Sequence, residues 1–252
     1  MLAIERRNAI ISKLIFEGKV VVSELAKEFD VTEETIRRDL EKLDNDGLAK
    51  KTYGGAVKVD SLNVDIPFLI RKQTNVPSKQ KIASLIGNMI NDGDYIMLDS
   101  STTAMYVIKY IIQKKNITLI TNSIEILIEL NDKSDWNIIS TGGTLKERGL
   151  SLVGYQAERM INNFRVDIAV CSCKGIDFNM GVSDSNEPDA QMKRAFFSSA
   201  KQKILAVDST KFDVTSFTKV CDLSDVDVVV TENKPSESWN QFFLDENIKV
   251  VY

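Results

Sequence analysis

Four short polar runs each follow an apolar stretch of strand character: Asp99-Ser100-Ser101-Thr102-Thr103, Thr121-Asn122-Ser123, Thr141-Gly142-Gly143-Thr144 and Asp208-Ser209-Thr210-Lys211. Hydroxyls and unpaired backbone amides at the start of a helix suit an anion such as phosphate, because the N–H groups and the helix dipole both point at it. Lys193 or Lys211 would add positive charge, and Asp99 or Asp208 would accept protons from sugar hydroxyls. Taken singly, each Ser, Thr or Asn is explained as an N-cap or turn former. Four such runs at the carboxyl ends of strands point instead to a small anionic ligand. There is no P-loop and no GxGxxG, so no nucleotide or other cofactor is expected; Gly142-Gly143 alone implies only a close backbone approach.

A different chemistry is written near the amino end. Thr35, Arg37 and Arg38 stand on the outer side and flanks of a helical pattern whose inner positions are Ile36, Leu40 and Leu43, at i, i+4 and i+7. Arginines there can donate to phosphates or guanine edges, and Thr35 can meet a phosphate or a thymine methyl. Thr32 is placed to cap this helix, with Asp30-Val31 as a tight turn before it. Ser23 is placed to cap the preceding helix, whose inner face is Leu25, Ala26 and Phe29. Lys50-Lys51-Thr52-Tyr53-Gly54-Gly55-Ala56-Val57 reads as a hairpin with a glycine tip, in which Lys50, Lys51 and Tyr53 would grip the neighbouring backbone. The plain alternative is a solvated helix whose arginines pair with Glu34 or Glu41 at helical spacing. Cap, turn, apolar spacing, arginine pair and basic hairpin together favour a winged helix-turn-helix that enters the DNA major groove.

These groups need two scaffolds. The first helix is expected over 3–17, with Ile4, Ile11, Leu14 and Ile15 as its apolar stripe and Gly18 as its stop. Residues 1–58 form the winged domain, 59–76 a linker and domain entry around Pro67, and 77–252 a second domain for sensing and oligomerisation. In that second domain strands are expected at 95–98, 118–120, 137–140, 168–171, 204–207, 226–230 and 249–251. Helices are expected at 79–90, 102–113, 124–130, 156–161, 188–200 and 237–243. Strands alternating with helices imply an α/β domain with a mostly parallel sheet covered on both faces.

Composition bounds the function. The 252 residues hold 43% hydrophobic and 27% charged side chains and carry a net charge of −4. Residues 1–58 hold 11 Lys/Arg and 11 Asp/Glu, leaving 32 − 11 = 21 and 36 − 11 = 25 in the remainder. DNA contact must therefore come from a local patch, and the acidic remainder limits non-specific binding. With no histidine, Ser-His-Asp and Cys-His catalysis are excluded. Cys171, Cys173 and Cys221 fit core packing better than a metal site, and no metal is expected. No apolar run approaches the roughly 20 residues of a membrane span. The charged start at Met1–Arg7 carries no signal-peptide pattern, so no membrane partner and a cytoplasmic location are expected.

Together these residues resemble the DeoR family of bacterial transcriptional repressors over nearly the whole chain. The amino-terminal match is Glu5-Arg6-Arg7, Val22-Ser23-Glu24-Leu25-Ala26, Thr35-Ile36-Arg37-Arg38-Asp39-Leu40 and Gly54-Gly55-Ala56. The carboxyl-terminal match is Pro67-Phe68 with Arg71, Leu98 to Thr103, Thr121-Asn122-Ser123, Gly142-Gly143, Gly175-Ile176-Asp177, Lys193, and Asp208-Ser209 with Lys211. The resemblance implies a winged helix-turn-helix bound to double-stranded operator DNA. It also implies a ribose-phosphate-isomerase-like α/β sensor stripped of catalysis, a phosphorylated sugar as effector, and a homo-oligomer, dimer or tetramer. The implied effector residues are Asp99, Ser100, Ser101, Thr102, Thr103, Thr121, Asn122, Ser123, Gly142, Gly143, Thr144, Lys193, Asp208 and Lys211, with no catalytic residue. Ser101 stands where the family usually has glycine, Ser78 where Glu is common, and Lys174 in a segment that often carries Asp. The rival class is a sugar-phosphate isomerase with an appended DNA domain, for which Asp99, Asp177 or Asp208 would serve as the base.

Overall fold

The computed structural model describes residues 1–59, 66–132, 135–146 and 149–252. The chain forms two compact units, Met1–Thr74 and Asn75–Tyr252.

The first unit holds α1 (Ala3–Glu17), β1 (Lys19–Val21), α2 (Val22–Glu28), α3 (Glu33–Asn45), β2 (Lys50–Thr52), β3 (Gly55–Val57) and α4 (Phe68–Gln73). Helix α1 stops at Gly18, whose φ of 75° lets its N–H return to the Leu14 carbonyl. The buried apolar stripe of α1 is Ile10, Ile11 and Leu14; Ile4, expected inside, is 60% exposed, and in the first turn the inward position is taken by Arg6. These residues pack with Val22, Leu25, Ala26, Ile36, Leu40 and Leu43 into one apolar core. The three strands run antiparallel in the order β1-β3-β2. A Cβ on Gly55 would lie 2.0 Å from the Val20 carbonyl oxygen, so only glycine lets β3 lie against β1 there.

One polar contact crosses this core. Asp39 on α3 is buried, and Arg6 Nε donates to its Oδ2 at 2.5 Å, with Arg7 Nη1 3.5 Å from Oδ1. Asp39 lies one helical turn from Ile36, on the inward side, so α1 must supply a cation to α3.

The segment 59–76 was expected as linker. Residues 60–65 lie outside the described residues, but α4 occupies 68–73, and Ile66 and Ile70 join the apolar core of the first unit. The two compact units meet between Thr74 and Asn75. Two isoleucines spaced one turn apart give too short a period to register as a helix.

The second unit holds α5 (Val76–Gly87), β4 (Tyr95–Leu98), α6 (Thr102–Ile111), β5 (Thr118–Thr121), α7 (Ile124–Glu129), β6 (Asn137–Ser140), β7 (Thr144–Lys146), β8 (Ser151–Val153) and α8 (Tyr155–Ile161). It continues with β9 (Val166–Cys171), β10 (Gly175–Asp177), β11 (Gly181–Asp184), α9 (Glu187–Ser198), β12 (Ala200–Ala206), β13 (Thr218–Cys221), β14 (Val228–Val230), α10 (Glu237–Asp245) and β15 (Lys249–Val251). Seven strands make one parallel sheet in the order β15-β14-β12-β9-β4-β5-β6, and every strand expected from sequence lies in it. Ile96–Leu98 and Val228–Val230 are buried at every position, as a sheet covered on both faces requires. Because all seven strands run the same way, their carboxyl ends share one edge.

Two smaller elements escaped the sequence reading: a hairpin, β7 with β8, and an antiparallel sheet in the order β10-β11-β13. Their strands are three or four residues long and rich in polar side chains, so neither alternation nor an apolar run marks them.

Replacing Asp39 by alanine leaves Arg6 buried without a counter-charge. The expected cost is about 3–5 kcal/mol, read as loss of amide protection in α1 and α3 by hydrogen exchange on the full chain. Protection unchanged from wild type would remove this pair from the list of stabilising contacts.

Candidate functional site

In the first unit Thr32 caps α3: the Thr35 N–H donates to Thr32 Oγ1 at 3.3 Å, and the two hydroxyls are 2.9 Å apart. The inner face of α3 is Ile36, Asp39, Leu40 and Leu43. Arg37 and Arg38 are therefore turned to solvent, with Thr35 half-buried at the flank. Each arginine meets a carboxylate one turn back: Arg37 Nη2 is 2.5 Å from Glu33 Oε2, and Arg38 Nε is 3.4 Å from Glu34 Oε1. Such exposed i,i+4 pairs contribute only about 0.3–0.5 kcal/mol, so the glutamates hold the arginines only weakly.

The hairpin stands beside this helix. Lys50 and Lys51 are exposed on β2, and Tyr53 projects wholly into solvent at the tip. The Lys51 N–H donates to Asp44 Oδ1 at 3.0 Å and Lys51 Nζ lies 3.8 Å from Glu41 Oε2, which ties the hairpin to the end of α3. Ser23 is not the N-cap expected of it. Helix α2 is capped at Val21 with no side-chain bond, because β1 runs straight into the helix, and Ser23 lies exposed in the first turn.

In the second unit the predicted polar runs sit at the carboxyl ends of β4, β5, β6 and β12. The first three belong to neighbouring strands of the sheet. Asp99 is buried and both of its oxygens are engaged. Oδ1 accepts the Ser101 N–H at 3.0 Å; Oδ2 accepts the Ser172 N–H at 3.1 Å and Lys193 Nζ at 2.6 Å. Lys193 also lies 3.5 Å from Asp184 Oδ2. Burial works to lower the Lys193 pKa, but Asp99 and Asp184 outweigh it and hold it well above the ordinary lysine value. The ammonium is therefore permanently charged and held between two aspartates.

Ser101 has an ordinary φ of −73°, and its Oγ accepts the Ala104 N–H at 3.1 Å, so this serine caps α6. Thr102 and Thr103 form the buried first turn behind it. On the next strand the Thr121 hydroxyl donates to the Leu98 carbonyl at 2.7 Å and accepts the Ser123 N–H at 3.1 Å. Ser123 caps α7. The β6 run continues into the hairpin: Gly142 and Gly143 have φ of 61° and 104°, and a Cβ on Gly143 would lie 2.7 Å from the Val153 carbonyl oxygen. Thr144 begins β7, where it is exposed.

On the other side Asp208 caps the short turn Ser209–Lys211, bonded by the N–H and hydroxyl of Thr210. Burial works to raise the Asp208 pKa, but Lys211 and the Thr210 bonds prevail and lower it. Lys211 Nζ donates to Ser172 Oγ at 2.8 Å and lies 3.8 Å from Asp208 Oδ2. Lys193, Asp99, Ser172, Lys211 and Asp208 thus form one connected network.

Sequence reading missed Ser172, Asp184 and Glu232. Ser172 lay between two cysteines taken as core. Glu232 is buried just after β14 and accepts the N–H of Ser209 at 3.0 Å and its hydroxyl at 2.7 Å. A charged residue two positions past a fully apolar strand was the available signal. Cys171 and Cys173 are buried, and burial pushes their thiols up, Cys173 to about 12. Among the described residues no group of three or more His, Cys, Asp or Glu side chains is arranged to hold a metal ion.

Two family models match the chain: a DeoR-like helix-turn-helix domain over residues 6–62 and a DeoR C-terminal sensor domain over residues 74–233. The chain belongs to the DeoR family of transcriptional regulators. It is 39% identical over 251 residues to the HTH-type transcriptional regulator YulB of Bacillus subtilis, covering 100% of this chain and 97% of that protein. It is 32% identical to the L-fucose operon activator of Haemophilus influenzae, covering 93% and 94%. It is 30% identical to the glycerol-3-phosphate regulon repressor of Escherichia coli, covering 98% and 97%. Among solved structures, ribose 5-phosphate isomerase A of Methanocaldococcus jannaschii aligns over 55% of each chain with a TM-score of 0.41 and 16% identity. The fold class rests on the parallel sheet itself. Among the described residues no helix of this DeoR-family chain is long and apolar enough to cross a membrane.

Lys193→Met leaves two buried aspartates facing each other without their cation. It is expected to lower unfolding stability by about 3–5 kcal/mol in urea titration, against about 1 kcal/mol for loss of the α6 cap in Ser101→Ala. Equal effects of the two substitutions would contradict the central place given to Lys193.

Proposed function

We propose that the chain represses a carbohydrate-utilisation operon and that a phosphorylated sugar controls its hold on operator DNA. The single observation that carries the effector half is the connected network at the sheet's carboxyl edge. Two lysines, two helix or turn N-termini and buried hydroxyls converge where parallel α/β sheets bind ligands. Asp99, Ser100, Ser101, Thr102 and Thr103 surround the N-terminus of α6, where an anion meets unpaired N–H groups. Lys211 supplies the counter-charge that can turn to a ligand. Lys193, engaged by two aspartates, holds the frame. Thr121, Asn122, Ser123 and the Gly142–Thr144 run close the site from the neighbouring strands. Relatives named for the L-fucose operon and the glycerol-3-phosphate regulon support the carbohydrate assignment.

The DNA half rests on Arg37, Arg38, Thr35 and Thr32 on α3 and on Lys50, Lys51 and Tyr53 in the wing. Ser23, exposed in the first turn of α2, would meet a backbone phosphate. In a dimer two such helices would enter major grooves about 34–36 Å apart. Effector binding would favour a state in which that spacing fails, which requires unequal affinity for the two states.

The isomerase alternative wants a free carboxylate base. Asp99 has both oxygens bonded, Asp208 is held by Thr210 and Lys211, and Asp177 accepts the N–H groups of Asn179 and Met180. Turnover of pentose or hexose phosphates, abolished by Asp99→Asn, would overturn the regulator reading.

Arg38→Ala is expected to weaken operator binding by about 1–3 kcal/mol if the arginine reads a base. Fluorescence anisotropy at moderate salt checks this, and unchanged affinity would take Arg38 out of the interface. Lys211→Ala is expected to raise at least about tenfold (1.4 kcal/mol in binding) the sugar phosphate concentration that releases operator. A release curve identical to wild type would show the phosphate lies elsewhere.

A further inference from the structure

Among the described residues, two buried side-chain polar atoms meet no hydrogen-bonding partner: Asn122 Oδ1 and Asp189 Oδ1. Both residues hold the same element, the β7–β8 hairpin. Asn122 Nδ2 donates to the Leu152 backbone carbonyl at 3.0 Å, while the backbone carbonyl of Asn122 accepts the Leu152 N–H at 2.8 Å. Asp189 Oδ2 accepts Lys146 Nζ at 2.6 Å and Asn186 Nδ2 at 2.9 Å. Leu152 lies on β8 and Lys146 on β7.

The amide orientation of Asn122 is fixed by chemistry. Turning it over would set Oδ1 against the Leu152 carbonyl and lose the bond. The orphan is therefore an acceptor. Asp189 is ionised: burial works to raise its pKa, but Lys193 and Lys146 prevail and lower it, so its free oxygen is an acceptor as well. A buried acceptor without a donor costs free energy that a protein rarely leaves uncompensated.

Both residues adjoin the site. Thr121, beside Asn122, bonds the Leu98 carbonyl next to Asp99. Asp189 lies one turn before Lys193 on α9, and Lys193 bonds Asp99. The dianion of a phosphate monoester cannot satisfy either oxygen, because its phosphoryl group has no hydrogen to give. Hydroxyl groups can.

We propose that Asn122 Oδ1 and Asp189 Oδ1 are the acceptors that read the hydroxyls of a polyhydroxylated phosphate, and that they select it over simple phosphates. This rests on the effector site proposed above and adds Asp189 to it. The ligand is recognised in two parts. The anion lies at the α6 N-terminus and Lys211, and the hydroxylated carbon chain lies against the orphan acceptors beside the hairpin. A site built around buried acceptors rejects a ligand that lacks the matching hydroxyls, since binding would leave those oxygens unpaired.

The test is isothermal titration of the full chain with ribose 5-phosphate, fructose 6-phosphate, propyl phosphate and inorganic phosphate. At least one sugar phosphate is expected to bind about tenfold or more tighter than both inorganic and propyl phosphate, which corresponds to one buried hydroxyl bond. In Asn122→Leu and in Asp189→Leu that ratio is expected to fall to within about twofold of one, while Asp189→Asn, which keeps an oxygen, restores most of it. Asp189 lies on a half-buried helical turn, so its variants give a readout even if Asn122→Leu does not fold. Binding of inorganic phosphate with no preference for either sugar phosphate would overturn this inference and leave the anion site standing. A preference that survives both leucine variants would overturn it too, with ordered water as the partner of the two oxygens. No binding by any of the four probes would sink the effector-site reading and this inference together.

Discussion

One buried ammonium orders the working edge of the sensor unit. Lys193 comes from α9, Asp99 from the end of β4 and Asp184 from the end of β11, so three separate elements meet at a single charge. Both aspartates are buried, and the cation offsets the cost of burying them together. From Asp99 the order spreads outward. Its other oxygen fixes the Ser101 amide, Ser101 caps α6, and its Ser172 bond leads on to Lys211. A ligand bound at α6 as proposed would meet groups already oriented, with little ordering left to do at the moment of binding.

The two units use charge in opposite ways. On α3 the arginines are exposed, paired loosely, and available to a polyanion whose charge is spread over a long surface. At the sheet edge the charges are buried, paired tightly, and spared for shape. The first arrangement suits an interaction governed by salt and by groove fit. The second suits a small molecule that must be told apart from others of equal charge. Regulation links them only if the effector favours one global state, since a ligand that binds both states equally shifts nothing.

Much of this was legible in the residues. The seven parallel strands were readable because fully buried strands appear as unbroken apolar runs, such as Val228–Val230. Cap and turn chemistry marked α3 through Thr32 and Asp30. Helix α5 begins at Val76, where Pro77 suits the first turn, three residues before the apolar period becomes visible. Strand β12 begins at Ala200, four residues early, since its first half is only partly covered and lacks the apolar signature. The β7–β8 hairpin and the β10-β11-β13 sheet left no pattern of their own. Within the site, types and order along the chain named the loops, but not which lysine is held between two aspartates. That depends on distances between residues some 90 positions apart, and Lys193 and Lys211 look alike until Asp99 and Asp184 are seen around the first.

The paired arginines of α3 have one more consequence. Glu33 and Glu34 sit beside Arg37 and Arg38 before any nucleic acid arrives. Any phosphate that captures an arginine leaves a bare carboxylate facing the polyanion, so every encounter starts with a small repulsive toll. If these arginines take DNA phosphates as proposed, that toll would shorten each stop on random chromosomal sequence. Where base edges and wing contacts added to the phosphates the balance would reverse, and the same two glutamates that weaken each single contact would sharpen the search.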